Sequence, residues 1–126
     1  IYPLPGGGKT RFQPIWVGDL VPMIGDALAD EEHVGQTYEV GGPDVLTLRE
    51  VVELVYDAEG KSVSVVGLPM ALAGVGLSVM DAVPGMPMGR DQYRSLQFDN
   101  TTSDNDVGAF GVDDGRLTAF RAYLGV

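Results

Sequence analysis

No residue from Ser62 to Met80 carries a charge, and this run constrains the fold more than any other feature of the sequence. Its length raises the question of a membrane-spanning helix. Gly67 and Pro69 interrupt the run, however, and its first part is rich in β-branched residues. The part from 70 to 80 would rise only about 16 Å as a helix, roughly half of the hydrocarbon core. The sequence therefore predicts a buried strand at 62–66, followed by a helix that packs in a core or an interface.

A second helix is predicted by the signals at its two ends. Thr47 and Glu50 form a capping-box pattern, in which each side chain can satisfy the free backbone amide of the other residue. Gly60 supplies a C-terminal stop. Apolar residues recur between these signals at helical spacing, namely Leu48, Val51, Val52 and Val55.

The rest of the chain consists of short apolar runs separated by loops. Residues 1–11 are rich in proline and glycine and predict a loop. Strands are predicted at 12–17 and 37–40, and a polar loop at 99–106. Three further helical segments are predicted: one capped by Asp19 with apolar positions Leu20, Ile24, Ala27 and Leu28, a short one at 90–98, and a last one from about Gly115 with Leu117, Phe120 and Leu124 on one face. The expected fold is one α/β domain over 1–126, helix-rich with short strands near 12–17, 37–40 and 62–66.

The charge balance limits the classes of partner. The chain has 18 acidic and 8 basic residues, a formal net charge of −10, which disfavours binding to nucleic acid and to anionic membranes. With 44% hydrophobic residues it should still fold. We interpret the carboxylate-rich surface as salt adaptation, the alternative being an ordinary acidic protein. Cysteine is absent, which excludes disulfides and thiolate catalysis and is compatible with the cytoplasm. The first residue is not methionine, so a fragment of a longer protein is expected.

Two nucleotide-binding patterns are incomplete. PGGGKT at 5–10 resembles a phosphate-binding loop, but GxxxxGK[ST] would require glycine where Pro3 stands, and a strand-like run follows instead of a helix. A GxGxxG pattern beginning at Gly74 lies within a predicted helix and has Val79 where the third glycine should be. We therefore predict no nucleotide site of either type.

Metal and acid–base chemistry have little support. His33 is the single histidine and lies in an acidic segment at a helix end, where a solvated side chain is expected. The loop at 99–106 offers oxygen ligands without the spacing of a calcium loop. No catalytic residues and no metal ligands are predicted.

Two longer stretches resemble a known family. QPIWVGDL at 13–20 resembles an aromatic strand followed by Asp before a helix, and YEVGGPDVLTLRE at 38–50 resembles a strand, a glycine turn and a capped helix. Both are similar to the C-terminal portion of the extended and atypical short-chain dehydrogenase/reductases, the NAD(P)-dependent epimerase/dehydratase family. Within it, the chain is most similar to relatives of the respiratory complex I (NADH dehydrogenase) accessory subunit of that fold. Weaker similarity runs through 90–100.

The resemblance implies that the N-terminal and C-terminal parts of the full-length protein have different roles. The glycine-rich loop for NAD or NADP and the catalytic tyrosine and lysine belong to an N-terminal Rossmann half that this chain lacks, so no cofactor is expected for the chain itself. The C-terminal part would contribute to the substrate cleft. We expect a small-molecule substrate there, contacted by two groups of residues: Arg11, Gln13 and Trp16, and on a lid Met86, Met88 and Arg90.

Three functions follow from these expectations. The first is the substrate-side or lid portion of an NAD(P)-binding oxidoreductase- or epimerase-like protein, not catalytic as an isolated fragment. The second is a non-catalytic NAD(P)H-binding accessory or assembly protein of a respiratory NADH dehydrogenase, and the third is a stand-alone interaction module. Whether the parent is an enzyme stays open, because many atypical members lack the catalytic pair. Expected partners are the missing Rossmann half, a respiratory complex, and a second copy through the apolar helix 70–83. The expected location is the cytoplasm, with the inner face of the membrane as an alternative.

Overall fold

The fold was analysed in a computed structural model that describes residues 1–81 and 90–126, without the side chains of Met80, Asp81 and Arg90. The chain divides into two compact units. The first comprises Ile1–Phe12 and Leu46–Asn100, and the second comprises Gln13–Val45 and Thr101–Val126. The assignment to one domain of a Rossmann-like fold stays a prediction, since two units can belong to a single domain.

The described residues of the first unit form two small sheets and three α-helices. In chain order its elements are β1 (Tyr2–Pro5), β2 (Arg11–Phe12), β3 (Leu46–Thr47), α2 (Leu48–Ala58), β4 (Val65–Leu68), α3 (Met70–Asp81) and α4 (Arg90–Ser95). Strand β1 pairs with β4 in parallel, and β2 pairs with β3 in antiparallel. The buried hydrophobic residues of this unit are Leu4, Leu54, Ala73 and Leu77.

Strand β1 lies in the segment predicted as a loop, so the expectation for 1–11 is wrong at Tyr2–Pro5 and at Arg11, whereas 6–10 form a turn and a loop. Tyr2 is opposite Val65 in the ladder, more than 60 residues away in sequence, and local patterns cannot report such a pairing. The strand predicted at 62–66 begins instead at Val65 and continues to Leu68. Helix α3 agrees with the predicted helix. No helix in the described part of the chain is both long and apolar enough to cross a membrane.

The three glycines at 6–8 form a tight turn. All three have φ between +59° and +71°, a backbone region that other residues rarely adopt. A Cβ on Gly8 would lie 2.6 Å from Leu4 Cδ1 and 3.0 Å from the backbone nitrogen of Arg49. The turn leads into strand β2 and not into a helix.

Helix α2 confirms its predicted boundaries. The Thr47 N–H donates to Glu50 Oε2 at 2.7 Å, and the Glu50 N–H donates to Thr47 Oγ1 at 3.2 Å, so the capping box is complete. Gly60 has φ +68° beyond the helix end. The predicted inward face is correct in part: Leu48, Val51 and Val52 are half-buried, whereas Val55 is 41% exposed and Leu54 is the buried residue.

The second unit is built around α1 (Val17–Ala29) and ends with α5 (Phe120–Leu124). Its core contains Met23, Val107 and Leu117, with Ile15, Val40, Phe110 and Val112 packed against them. The last predicted helix is shorter than expected. Leu117 lies outside any helix, after a 3-10 turn at Asp114–Arg116, and is buried all the same.

Asp19 is not the cap of α1. The N-cap position belongs to Trp16, and Asp19 lies in the first turn, where its carboxylate accepts the Thr118 N–H at 2.7 Å. The predicted apolar face of this helix is also wrong, because Ile24 and Leu28 are exposed and Met23 is buried. The helix packs by the face that meets the segment at 101–126, which sequence periodicity alone does not indicate.

Two predicted strands are reduced or absent. Of 12–17, only Phe12 is in a strand, and α1 begins at Val17. Residues 37–40 form no strand with any described residue. Strands are defined by pairing, and the described chain supplies no neighbouring strand at this segment.

Candidate functional site

The two family-like stretches meet at Gln13 and Gly42 in the second unit. The Gly42 N–H donates to the Gln13 carbonyl at 3.2 Å, and Gln13 Nε2 donates to the Gly42 carbonyl at 3.0 Å. Gln13 Oε1 accepts the Thr102 N–H at 3.0 Å. The amide of Gln13 thus ties three segments together. Its donor and its acceptor are both engaged within the unit.

The backbone at Gly41 is held by Asn105. Asn105 Nδ2 donates to the Gly41 carbonyl at 2.8 Å, and the Gly41 N–H donates to Asn105 Oδ1 at 3.0 Å. The neighbouring Glu39 forms a similar pair, donating its N–H to Asp106 Oδ2 at 2.8 Å and accepting the Asp106 N–H at 2.8 Å. One edge of the segment at 38–41 is therefore satisfied by hydrogen bonds.

The other edge of this segment is open. No described residue forms a hydrogen bond with the backbone N–H or C=O of Tyr38 or Val40. Their side chains pack inward, Tyr38 against Phe110 and Val40 against the core. The segment therefore has the side-chain arrangement of a strand with one face buried, and a free edge that could pair with a further strand.

Arg11, predicted to contact substrate, is bound by Asp99 in the first unit. Arg11 Nε donates to Asp99 Oδ2 at 2.9 Å, Arg11 Nη2 lies 2.8 Å from the same oxygen, and the Arg11 N–H donates to Asp99 Oδ1 at 2.8 Å. The backbone N–H of Arg11, its side-chain hydrogen bond and its charge lower the pKa of Asp99. Both side chains remain partly exposed. The guanidinium is thus already paired with a carboxylate.

Trp16 forms an exposed aromatic pair with Tyr123 in the second unit. Their ring centroids are 6.4 Å apart and their planes are tilted by 39°, and the two residues are 41% and 61% exposed. The Trp16 ring also covers Gly18, where a Cβ would lie 2.4 Å from ring atoms. Such a pair offers apolar surface for stacking.

The remaining predicted site residues cannot be placed. Met86 and Met88 lie outside the described residues, as does the side chain of Arg90. Arg11 belongs to the first unit, whereas Gln13 and Trp16 belong to the second. That all six border one substrate cleft stays a prediction.

His33 lies in an aromatic cluster and is not the solvated side chain that we expected. Its Nδ1 is 2.8 Å from the Tyr38 hydroxyl, and its ring centroid is 4.9 Å from that of Phe110. With Asp26 and Asp30 it lines an open cleft of about 460 Å³. Within the described ranges, no group of three or more His, Cys, Asp or Glu side chains could hold a metal ion.

A second open cleft, of about 440 Å³, lies between α3 and α4 in the first unit. It is lined by Ala71, Gly74, Val75, Ser78, Val79 and Tyr93. The hydroxyl of Ser78 donates to the Gly74 carbonyl of its own helix at 2.7 Å. The described lining contains no charged side chain, so the cleft offers apolar contact and little polar chemistry.

Sequence patterns did not predict the hydrogen bonds that join Gln13 to Gly42 and Asn105 to Gly41. The double glycine at 41–42 was the available signal, since adjacent glycines after an apolar run often mark a close approach of two backbones. Asn105 had no distinguishing pattern within its polar loop. These residues organise the second unit and do not form a catalytic set.

Comparison with known proteins identifies a relative. Over 113 aligned residues, 82% of this chain, 38% are identical to the mitochondrial NADH dehydrogenase (ubiquinone) 1 alpha subcomplex subunit 9 of Arabidopsis thaliana. The chain is similar to a subunit of an NADH dehydrogenase. A shorter match, 29% identical over 65 residues or 51% of the chain, is to Cyclin-B1-2 of Oryza sativa subsp. japonica. No protein-family model matches the chain.

The similarity confirms the expected relation to a subunit of NADH dehydrogenase. The chain spans 28% of the length of the Arabidopsis subunit and 17% of the length of the rice protein. The activity, substrate and partners of a whole protein of this kind are therefore matters for proposal.

Proposed function

We propose that this chain is the C-terminal part of a non-catalytic accessory subunit of a respiratory NADH dehydrogenase. The observation that carries the proposal is the 38% identity to the mitochondrial NADH dehydrogenase subunit of Arabidopsis thaliana over 82% of the chain. The subunit would have a short-chain-dehydrogenase-like fold and would bind NAD or NADP through a separate Rossmann half. It would act at the inner face of the membrane, as part of the respiratory assembly.

The side chains at the predicted cleft support a structural role. Arg11 is paired with Asp99, and both ends of the Gln13 amide are bonded within the second unit. Groups that already have partners gain less from a ligand, because those partners must first be displaced. This arrangement suits a scaffold better than a catalytic cleft.

The free edge at Tyr38 and Val40 supports attachment to the dinucleotide-binding half. This segment belongs to the stretch at 38–50, whose resemblance includes a strand, and its open backbone groups could join a sheet supplied by that half. We infer that 37–40 becomes a strand when that pairing forms.

The test uses the full product of the gene that encodes this chain. Its affinity-tagged form should co-purify in a fixed ratio with detergent-solubilised NADH dehydrogenase, and deletion of the gene should lower the amount of assembled complex. The full product should bind NADH, whereas the present chain alone should show no saturable binding. Recovery of the full product entirely apart from an otherwise complete complex would overturn the proposal.

A second candidate is the substrate-side part of an NAD(P)-dependent oxidoreductase or sugar-nucleotide epimerase. The exposed Trp16–Tyr123 pair favours it, because stacked aromatic surface suits a sugar or a base. In that case the full product should turn over a nucleotide sugar or oxidise a small alcohol. Trp16→Ala should then raise KM while leaving the far-ultraviolet circular dichroism spectrum unchanged. If the full product binds NADH but converts neither class of substrate, the result would favour the accessory role over this second candidate.

A further inference from the structure

The outer edge of β4 has unpaired backbone groups. Tyr2 is opposite Val65, and the Tyr2 N–H donates to the Ser64 carbonyl at 2.9 Å. In a parallel ladder this register points the backbone groups of Val66 at β1, and those of Val65 and Gly67 away from it. No described residue forms a hydrogen bond with the outward groups of Val65 or Gly67. Within residues 1–81 and 90–126, this edge of the sheet therefore has no strand partner.

The opposite edge of the sheet is closed by two prolines. Tyr2 and Leu4 point their backbone groups at β4, so Pro3 and Pro5 occupy the outward positions of β1. Proline has no N–H to donate, and it is found on edges that do not take a further strand. The sheet can therefore extend only beyond β4.

Strand β4 carries none of the usual protection of an exposed edge. Its sequence VVGL contains no charge and no proline, although lysine, proline and bulges normally guard such edges. Val66 is 51% exposed. A two-stranded sheet is also marginally stable by itself, so a third strand would add stability where the edge is open.

We propose that β4 pairs in antiparallel with β4 of a second copy of this chain, about a twofold axis at Val66. In this register Val65 of one copy is opposite Gly67 of the other, and their outward groups form four hydrogen bonds. The two Val66 residues form the non-hydrogen-bonded pair, with Cα atoms about 4.5 Å apart, where β-branched side chains pack well.

The register explains why a second copy fits better than a foreign strand. The outward groups at 65 and 67 complement themselves, so one contact satisfies both edges at once. The result is a four-stranded sheet with the proline-bearing β1 at each end, which closes the assembly at a dimer. Each copy has a net charge of −10, and the uncharged run from Ser62 to Met80 is where repulsion opposes association least.

The inference goes beyond the proposed function and is tested independently of it, by sedimentation velocity. Measurements from about 10 µM to about 1 mM cover the range expected for a small interface. At about 1 M NaCl the Debye length falls to about 3 Å, and a monomer–dimer equilibrium should be resolved. Lower salt should shift this equilibrium toward the monomer.

The decisive variant is Val66→Lys, which sets two ammonium groups across the axis. It should raise the dissociation constant of the dimer by up to about fivefold, whereas Val55→Lys, a matched change at an exposed position of α2, should leave it unchanged. A chain that stays monomeric at every concentration would overturn the proposal. So would a dimer that Val66→Lys leaves intact.

A cross-linking experiment maps the contact without relying on an introduced charge. The chain contains no cysteine, so Val66→Cys introduces a single thiol, and Cα atoms about 4.5 Å apart are within disulfide range. Mild oxidation should give a covalent dimer of Val66→Cys with an unchanged circular dichroism spectrum. The comparison variant is Val75→Cys, on the exposed face of α3. Efficient cross-linking at 75 and none at 66 would assign any dimer to the apolar helix and refute the β4 pairing.

Discussion

The carbonyl oxygen of Pro14 occupies the space that a side chain on Gly42 would need. A Cβ on Gly42 would lie 1.7 Å from that oxygen, and the Gly42 N–H donates to Gln13 next to it. Glycine at 42 is therefore required by the close approach of two backbones and not by its own φ angle, which is not in the left-handed region. The contact joins two segments that are 29 residues apart in sequence.

The first prediction concerns this contact. Gly42→Ala should destabilise the protein by about 3 kcal/mol or more, because neither backbone can move away without breaking the Gln13 bonds. Gly25→Ala is the matched control, since nothing lies within 4 Å of its Cβ and it is interior to α1. The control should stabilise the protein by about 1 kcal/mol. Urea unfolding measures both, and equal effects would refute the steric explanation.

The second prediction concerns Asn105, whose amide bonds both backbone groups of Gly41. Asn105→Ala should lower the free energy of unfolding by about 1–3 kcal/mol, because two partly buried backbone groups lose their partners. The control is Asn100→Ala. Asn100 is exposed and its side chain forms no hydrogen bond with a described residue, so its loss should change stability by less than about 0.5 kcal/mol. A neutral Asn105→Ala would show that water replaces both bonds.

The third prediction concerns the acid stability of α2. The backbone N–H of Thr47, and then its side chain, lower the pKa of Glu50 below its ordinary value of 4.5. A carboxyl whose pKa is lower in the folded state stabilises it above the unfolded value, and that contribution is lost as the pH falls through the folded value. Glu50→Gln should therefore be less stable than the native chain at neutral pH, and the difference should shrink below pH 4.5. Urea unfolding of both proteins over a pH series measures this difference. A difference that does not change with pH would contradict the prediction.

The fourth prediction concerns salt. With 18 acidic and 8 basic residues, carboxylates far outnumber the cations that could pair with them, and two like charges 10 Å apart in water repel by about 0.4 kcal/mol. The free energy of unfolding should therefore rise as NaCl screens the surface, and most of the rise should occur below about 0.5 M, where the Debye length is already short. Stability that is independent of salt would identify the chain as an ordinary acidic protein. A linear rise without saturation would indicate preferential exclusion of salt instead of screening.

Helix α2 illustrates what local sequence determines. Thr47, Glu50 and Gly60 satisfy backbone groups within a few residues of themselves, so the boundaries of the helix could be predicted without knowing its surroundings. Helix α3 was predicted from the uncharged run that contains it, which is also a local feature of the sequence. The resemblance carried by 13–20 and 38–50 likewise depends only on the order of residues, and the similarity to the NADH dehydrogenase subunit agrees with it.

The tertiary structure decided everything that depends on distant partners. It made β1 a strand by pairing Tyr2 with Val65, and it gave 37–40 no strand partner among the described residues, although the sequence suits a strand. It gave Asp19 a partner at Thr118 instead of a capping role. It also paired Arg11 with Asp99, whereas the family resemblance implied that Arg11 contacts a small-molecule substrate. Capping and helical spacing act over a few residues and can be read directly, whereas strand pairing and side-chain partnership are set by which segments meet in space.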